Sequence, residues 1–96
     1  MTAPLHATAP RSSRAPARRL TLLSRAYCHL CDDMRAALVP LLARRGIDLV
    51  EIDVDTDPRL EAEFGERVPV LLAGAVESGR ELCHYVLDPQ RVRDAL

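Results

Sequence analysis

A chain of 96 residues, 48% of them hydrophobic, has room for one compact domain with a modest core and none for a second. Its formal net charge of -1 gives no electrostatic reason to expect nucleic acid or an anionic membrane as a partner, and no apolar run approaches the roughly 20 residues that cross a bilayer. Three cysteines, Cys28, Cys31 and Cys83, are too few and too odd a number for the disulfide framework of a secreted miniprotein, which points to a reducing, cytoplasmic setting.

Residues 1–18 are rich in Ala, Pro, Ser and Arg, with Leu5 the one large aliphatic. Such a segment buries too little apolar area to offset its ordering entropy and is expected to be a disordered tail; its Arg11, Arg14 and Arg18 without an acid also fit an organellar targeting segment. From Arg19 the pattern changes. Leu20, Leu22 and Leu23 form a short apolar run expected of a strand buried on both faces. Cys28 to Arg45 follows as a helix, with Leu30, Met34, Leu38 and Leu41 or Leu42 at helical spacing, Pro40 bending it and Gly46 as a left-handed cap.

Ile47 to Val54, with Val50, Ile52 and Val54 in phase, reads as the second strand. Asp57 then caps a short helix that has Pro58 at its first position, Leu60 and Phe64 on its inner face and Gly65 closing it. Val68 to Ala73 and Glu81 to Val86 are two strands of a hairpin around the turn residues 77–79. Asp88-Pro89 repeats the cap signature before a last helix with Val92 and Leu96 on its apolar side. The predicted order is βαβαββα, an α/β fold with a four-stranded mixed sheet flanked by helices, residues 19–96 forming the domain.

The chemistry concentrates in Cys28-His29-Leu30-Cys31, at the turn from the first strand into the long helix. An anion there meets unpaired N–H groups and the positive end of the helix dipole, so the Cys28 thiolate is favoured and Cys28 reads as the nucleophile. Cys31, one turn later, is within disulfide reach and suits the resolving role. The same cysteines leave a second reading open, a non-catalytic metal or iron–sulfur carrier. Cys28, Cys31, Cys83 and His84 could supply four zinc ligands, although a structural zinc site usually brings a second close pair.

Residues 20–96 resemble the glutaredoxin-like branch of the thioredoxin superfamily: LTLLSRAYCHLCDDM matches its opening, and RVPVLL the segment that bears its cis-proline. The resemblance implies a thioredoxin-like fold, disulfide reduction by Cys28 and Cys31, and a cis Val68-Pro69 bond whose neighbouring backbone pairs with a substrate chain. It also implies no resident cofactor or metal, glutathione or a reductase as electron donor, and a disulfide-containing protein or glutathione as partner, with the chain acting as a monomer. Arg25 matches a basic residue placed near the thiolate in such enzymes. Glutathione-using members have Pro and an aromatic between the cysteines and a Gly-Gly-Asp stretch after the fourth strand; this chain has His29, Leu30 and the sequence CHYVLD. Arg25, Tyr27 and His29 are candidate substrate contacts, Arg25 as a partner of Cys28 or of a substrate carboxylate, Tyr27 also as a cover over the thiols and His29 as a modulator of the thiolate, while Cys83 is either a small core residue or a third redox thiol.

Overall fold

The computed structural model describes residues 17–96, so the tail expected over 1–18 lies outside the described residues except for Ala17 and Arg18. These two are hydrogen-bonded to the domain, Ala17 N–H donating to the carbonyl of Ala95 at 2.8 Å and Arg18 C=O accepting from Asp48 N–H at 3.0 Å.

Strand β1 (Arg19–Ser24) lies inside the sheet because it is apolar on both sides. Leu20 and Leu22 enter one cluster and Leu23 the other, all three fully buried. Helix α1 (His29–Leu42) packs Met34 and Leu38 onto the first cluster. Strand β2 (Asp48–Asp53) pairs parallel to β1 and forms one edge of the sheet. A 3-10 turn (Val54–Thr56) leads into α2 (Pro58–Phe64), capped by the Asp57 side chain, and Phe64 closes the second cluster with Val54, Val70 and Leu72. Strand β3 (Val70–Ala73) runs antiparallel to β1, and β4 (Arg80–His84) antiparallel to β3 with a bulge. Helix α3 (Pro89–Ala95), capped by Asp88, lays Val92 and Ala95 on the first cluster. The sheet order is β2-β1-β3-β4, a mixed four-stranded sheet with the expected βαβαββα order.

Differences from the sequence reading are local. Helix α1 runs through Pro40 but ends at Leu42, three residues short of Arg45. Proline has no N–H to return to the Ala36 carbonyl, which weakens the turn before the end. Arg44 takes the first left-handed position (φ 65°) and Gly46 a second (φ 65°), so Gly46 serves the connection to β2 and not the cap itself. Leu30, although in register with Met34 and Leu38, is exposed; the buried stripe of α1 starts instead at Cys31. Val50 is exposed because β2 is an edge strand, and Gly65 closes α2 in a right-handed conformation. β3 starts at Val70 and β4 ends at His84, because Val68-Pro69 and Tyr85-Val86 leave the ladder at the end of the sheet that carries Cys28.

Candidate active site

The chain leaves β1 at Ser24 and reaches α1 through Arg25, Ala26 and Tyr27, with Tyr27 in a left-handed conformation (φ 58°) that turns the backbone into the helix. Cys28 is the N-cap. Its backbone is extended (φ -107°, ψ 106°), its carbonyl accepts from Asp32 N–H at 3.1 Å, and its Sγ accepts from Cys31 N–H at 3.1 Å. A sulfur thus occupies the place where Ser or Asp usually satisfies the first free N–H groups of a helix. Cys28 and Cys31 are joined in a disulfide with Cα atoms 5.2 Å apart. Cys31 is fully buried, whereas Cys28 is partly exposed.

The β1–β3 register brings a second segment to the same end of the sheet. Leu23 is opposite Val70, so Pro69 continues that register beside the exit of β1 toward Cys28. The Val68-Pro69 peptide bond is cis, the Pro69 ring is buried and Val68 packs against the second cluster. Tyr85 pins this segment from the end of β4: its N–H donates to the Pro69 carbonyl at 2.9 Å and its hydroxyl to the Glu66 carbonyl at 2.8 Å.

The sequence aligns with the glutaredoxin-like domain family (DUF836) over residues 19–96, from the first residue of β1 to the end of the chain. The chain belongs to the glutaredoxin-like family. The uncharacterized protein Rv0508 of Mycobacterium tuberculosis is 38% identical over 80 residues, covering 78% of each chain. Among solved structures, protein Ne2328 of Nitrosomonas europaea is 36% identical with a TM-score of 0.71, over 86% of this chain and 95% of that one. The oxidized form of mitochondrial thioredoxin 3 from Saccharomyces cerevisiae, at 18% identity and a TM-score of 0.60 over 84% of this chain and 77% of its own, is similar in fold. A glutaredoxin-like domain with its CxxC pair at disulfide distance fits thiol–disulfide redox chemistry.

Other sequence candidates are placed differently around this glutaredoxin-like site. Arg25 donates to Asp55 at 2.9 Å and Glu61 at 3.4 Å, so its guanidinium ties the loop before Cys28 to the 3-10 turn and α2. Its Nε is enclosed and has no hydrogen-bond partner among the described residues. Tyr27 is fully exposed and covers neither sulfur. His29 is also exposed, with Nε2 3.6 Å from Asp33 one turn on. Cys83 is a half-buried free thiol against the first cluster, and burial pushes its pKa up, so it is protonated at neutral pH. Among the described residues, no group of three or more His, Cys, Asp or Glu side chains is arranged to hold a metal ion, so Cys28, Cys31, Cys83 and His84 do not form a ligand set.

Two polar networks flank the site and were missed by sequence reasoning, since each is joined by a pair distant in the chain, Ser24 and Arg35 with Glu51 in one and Arg67 with Glu81 in the other. Ser24, buried at the exit of β1, donates to Glu51 on β2 at 2.7 Å. Arg35 on α1 grips both oxygens of Glu51 and donates to Asp32 at 2.8 Å. The hydrogen bonds from Arg35 hold the Glu51 carboxyl below the usual carboxylate range despite its desolvation. At the other side, Glu81 accepts from Arg67, and His84 Nδ1 lies 2.6 Å from its second oxygen. Burial opposes the charge on Glu81, but the hydrogen bonds from His84 and Arg67 outweigh it and lower its pKa.

Proposed function

We propose that this glutaredoxin-like chain is a dithiol–disulfide oxidoreductase acting on protein or glutathione disulfides, with Cys28 as nucleophile and Cys31 as resolving thiol. The observation that carries the reading is the placement of Cys28 as the N-cap of a 14-residue helix, with its Sγ accepting the N–H of the buried Cys31. In the reduced protein the same N–H and the helix dipole stabilise a Cys28 thiolate, while Cys31, enclosed in the core, stays a thiol until it is needed.

The Cys28 thiolate attacks one sulfur of the substrate disulfide, forming a Cys28–substrate bond as the substrate S–S bond breaks and the first substrate thiolate leaves. That thiolate takes the Cys31 proton. The Cys31 thiolate then attacks Cys28 Sγ, closing the Cys28–Cys31 disulfide and expelling the second substrate sulfur, which takes up a proton from solvent. The substrate gains two electrons and the CxxC pair loses them. A thiol reductant, glutathione or the dithiol of a reductase, returns the electrons by the reverse exchange, with no bound cofactor or metal. Val68 and Pro69 form the backbone edge along which a substrate chain lies, and His29, on the exposed side of the first helical turn, favours the thiolate when protonated. Arg25 acts from its ion pairs by fixing the loop, and the exposed Tyr27 ring meets substrate. The chain works as a cytoplasmic monomer.

Offering the oxidised protein reduced glutathione and a thioredoxin-reductase system in parallel, with alkylation of the thiols produced, tests this reading. Reduction of the Cys28–Cys31 pair by at least one of the two is expected. A disulfide inert to both and to dithiothreitol would overturn it.

A further inference from the structure

An apolar cleft of about 300 Å³ opens between the start of α1 and the segment joining β4 to α3. Leu30, the residue between the two site cysteines that α1 fails to bury, forms one lip, and Met34 lies at the α1 wall. Tyr85, Val86 and Leu87 form the facing wall, with Leu30, Tyr85 and Val86 exposed to solvent at 43%, 44% and 70%. Exposed aliphatic and aromatic side chains gathered around a concavity mark a surface that something apolar covers.

The wall is fixed in place. Tyr85 takes a left-handed backbone conformation, and its N–H and hydroxyl are both committed to the segment that carries Pro69. The cleft therefore has as one lip Leu30, the residue that precedes Cys31 in the chain, and its facing wall is tied by Tyr85 to the Pro69 segment. Its one charged lining residue is an acid, Asp33. Glutathione carries two carboxylates and one α-ammonium; among the described residues the cleft offers its carboxylates no cation, and Asp33 alone could face the ammonium, on an otherwise apolar lining.

We propose, resting on the oxidoreductase reading above, that this cleft selects protein disulfides in which a large aliphatic or aromatic side chain lies within a few residues of the attacked cysteine, in preference to glutathione disulfide. The apolar side chain enters between Leu30 and Val86 while its neighbouring cysteine meets Cys28. A basic residue beside it faces Asp33. The exchange chemistry is unchanged; the cleft sets which disulfide is presented to the thiolate.

The test uses the reduced full chain and three oxidants: a disulfide-linked peptide with Leu two residues from its cysteine, the same peptide with Ser there, and glutathione disulfide. The Leu peptide is expected to oxidise the Cys28–Cys31 pair about tenfold faster than the Ser peptide, a ratio worth about 1.4 kcal/mol, and glutathione disulfide to react no faster than the Ser peptide. Val86→Asp, at an exposed position, is expected to reduce the Leu/Ser ratio to about twofold or less, the ratio of the two peptides on the same variant being its own internal control. Equal rates for the two peptides, a faster reaction with glutathione disulfide, or a preference that survives both Val86→Asp and Leu30→Ser would overturn the cleft while leaving the redox reading standing. Failure of the small neutral disulfide hydroxyethyl disulfide to oxidise the wild-type pair would overturn both.

Discussion

Replacing Glu51 by Ala removes the one acceptor shared by Ser24 at the exit of β1 and Arg35 on α1. Ser24 is buried, so its hydroxyl is left without a partner at a cost of about 1–3 kcal/mol. Arg35 is partly exposed and keeps Asp32, so its loss adds only about 0.5–1 kcal/mol. The sum is about 1.5–4 kcal/mol, which for a domain of this size lowers the melting temperature by roughly 6–30 °C. Urea denaturation followed by far-ultraviolet circular dichroism measures it, and Ser24→Ala completes a double-mutant cycle. With both partners gone no hydroxyl is stranded, so the double variant is expected to be about 1 kcal/mol more stable than the sum of the single effects requires. A Glu51→Ala loss below about 0.5 kcal/mol, or strict additivity with Ser24→Ala, would refute the claim that this network ties the exit of β1 and helix α1 to β2.

Three further outcomes follow from the same geometry. Leu38→Ala empties a fully buried position between α1 and the sheet and is expected to cost about 2–5 kcal/mol in denaturant unfolding. Glu51 and Glu81 both have carboxyls held below their ordinary values in the folded state, so the stability they add is complete above the unfolded carboxylate value of about 4.3 and is lost as the pH falls below it. Unfolding midpoints measured from pH 7 to pH 3 should drop steeply at the acid end, and less steeply in Glu51→Ala. His29→Pro removes from the first turn after Cys28 an imidazole whose protonated form favours the thiolate, so the reduced state is less favoured and the potential in a glutathione redox buffer becomes more negative, by no more than about 10–20 mV.

The elements were legible where a local signal and a tertiary demand agree. Asp57-Pro58 and Asp88-Pro89 each cap a helix as read, because a carboxylate N-cap and a proline without an N–H satisfy the first turn by themselves. The apolar run of β1 was readable because that strand is enclosed on both faces. Leu30 misled because helical periodicity reports a face and not what covers it; α3 and the β4–α3 segment leave that end of the face open. The CxxC pair was legible since helix-start position and spacing are sequence properties. Its supports were not: Ser24, Glu51 and Arg35 meet only when β1, β2 and α1 are assembled, and the place near the thiolate that the resemblance implies for Arg25 gives no sign that Asp55 and Glu61 hold its guanidinium. Nor does sequence disclose that Tyr27 and Tyr85 take left-handed conformations, since both are imposed by the turns into and out of the site.

The division of labour between Cys28 and Cys31 is tested most directly by trapping. Reduced Cys31→Ser, mixed with a disulfide-linked peptide, should accumulate a covalent adduct whose peptide maps to Cys28, because the partly exposed N-cap sulfur attacks and nothing resolves it. Cys28→Ser should form none under the same conditions. An adduct on Cys31 in Cys28→Ser at a comparable rate, or none at Cys28 in Cys31→Ser, would contradict the account.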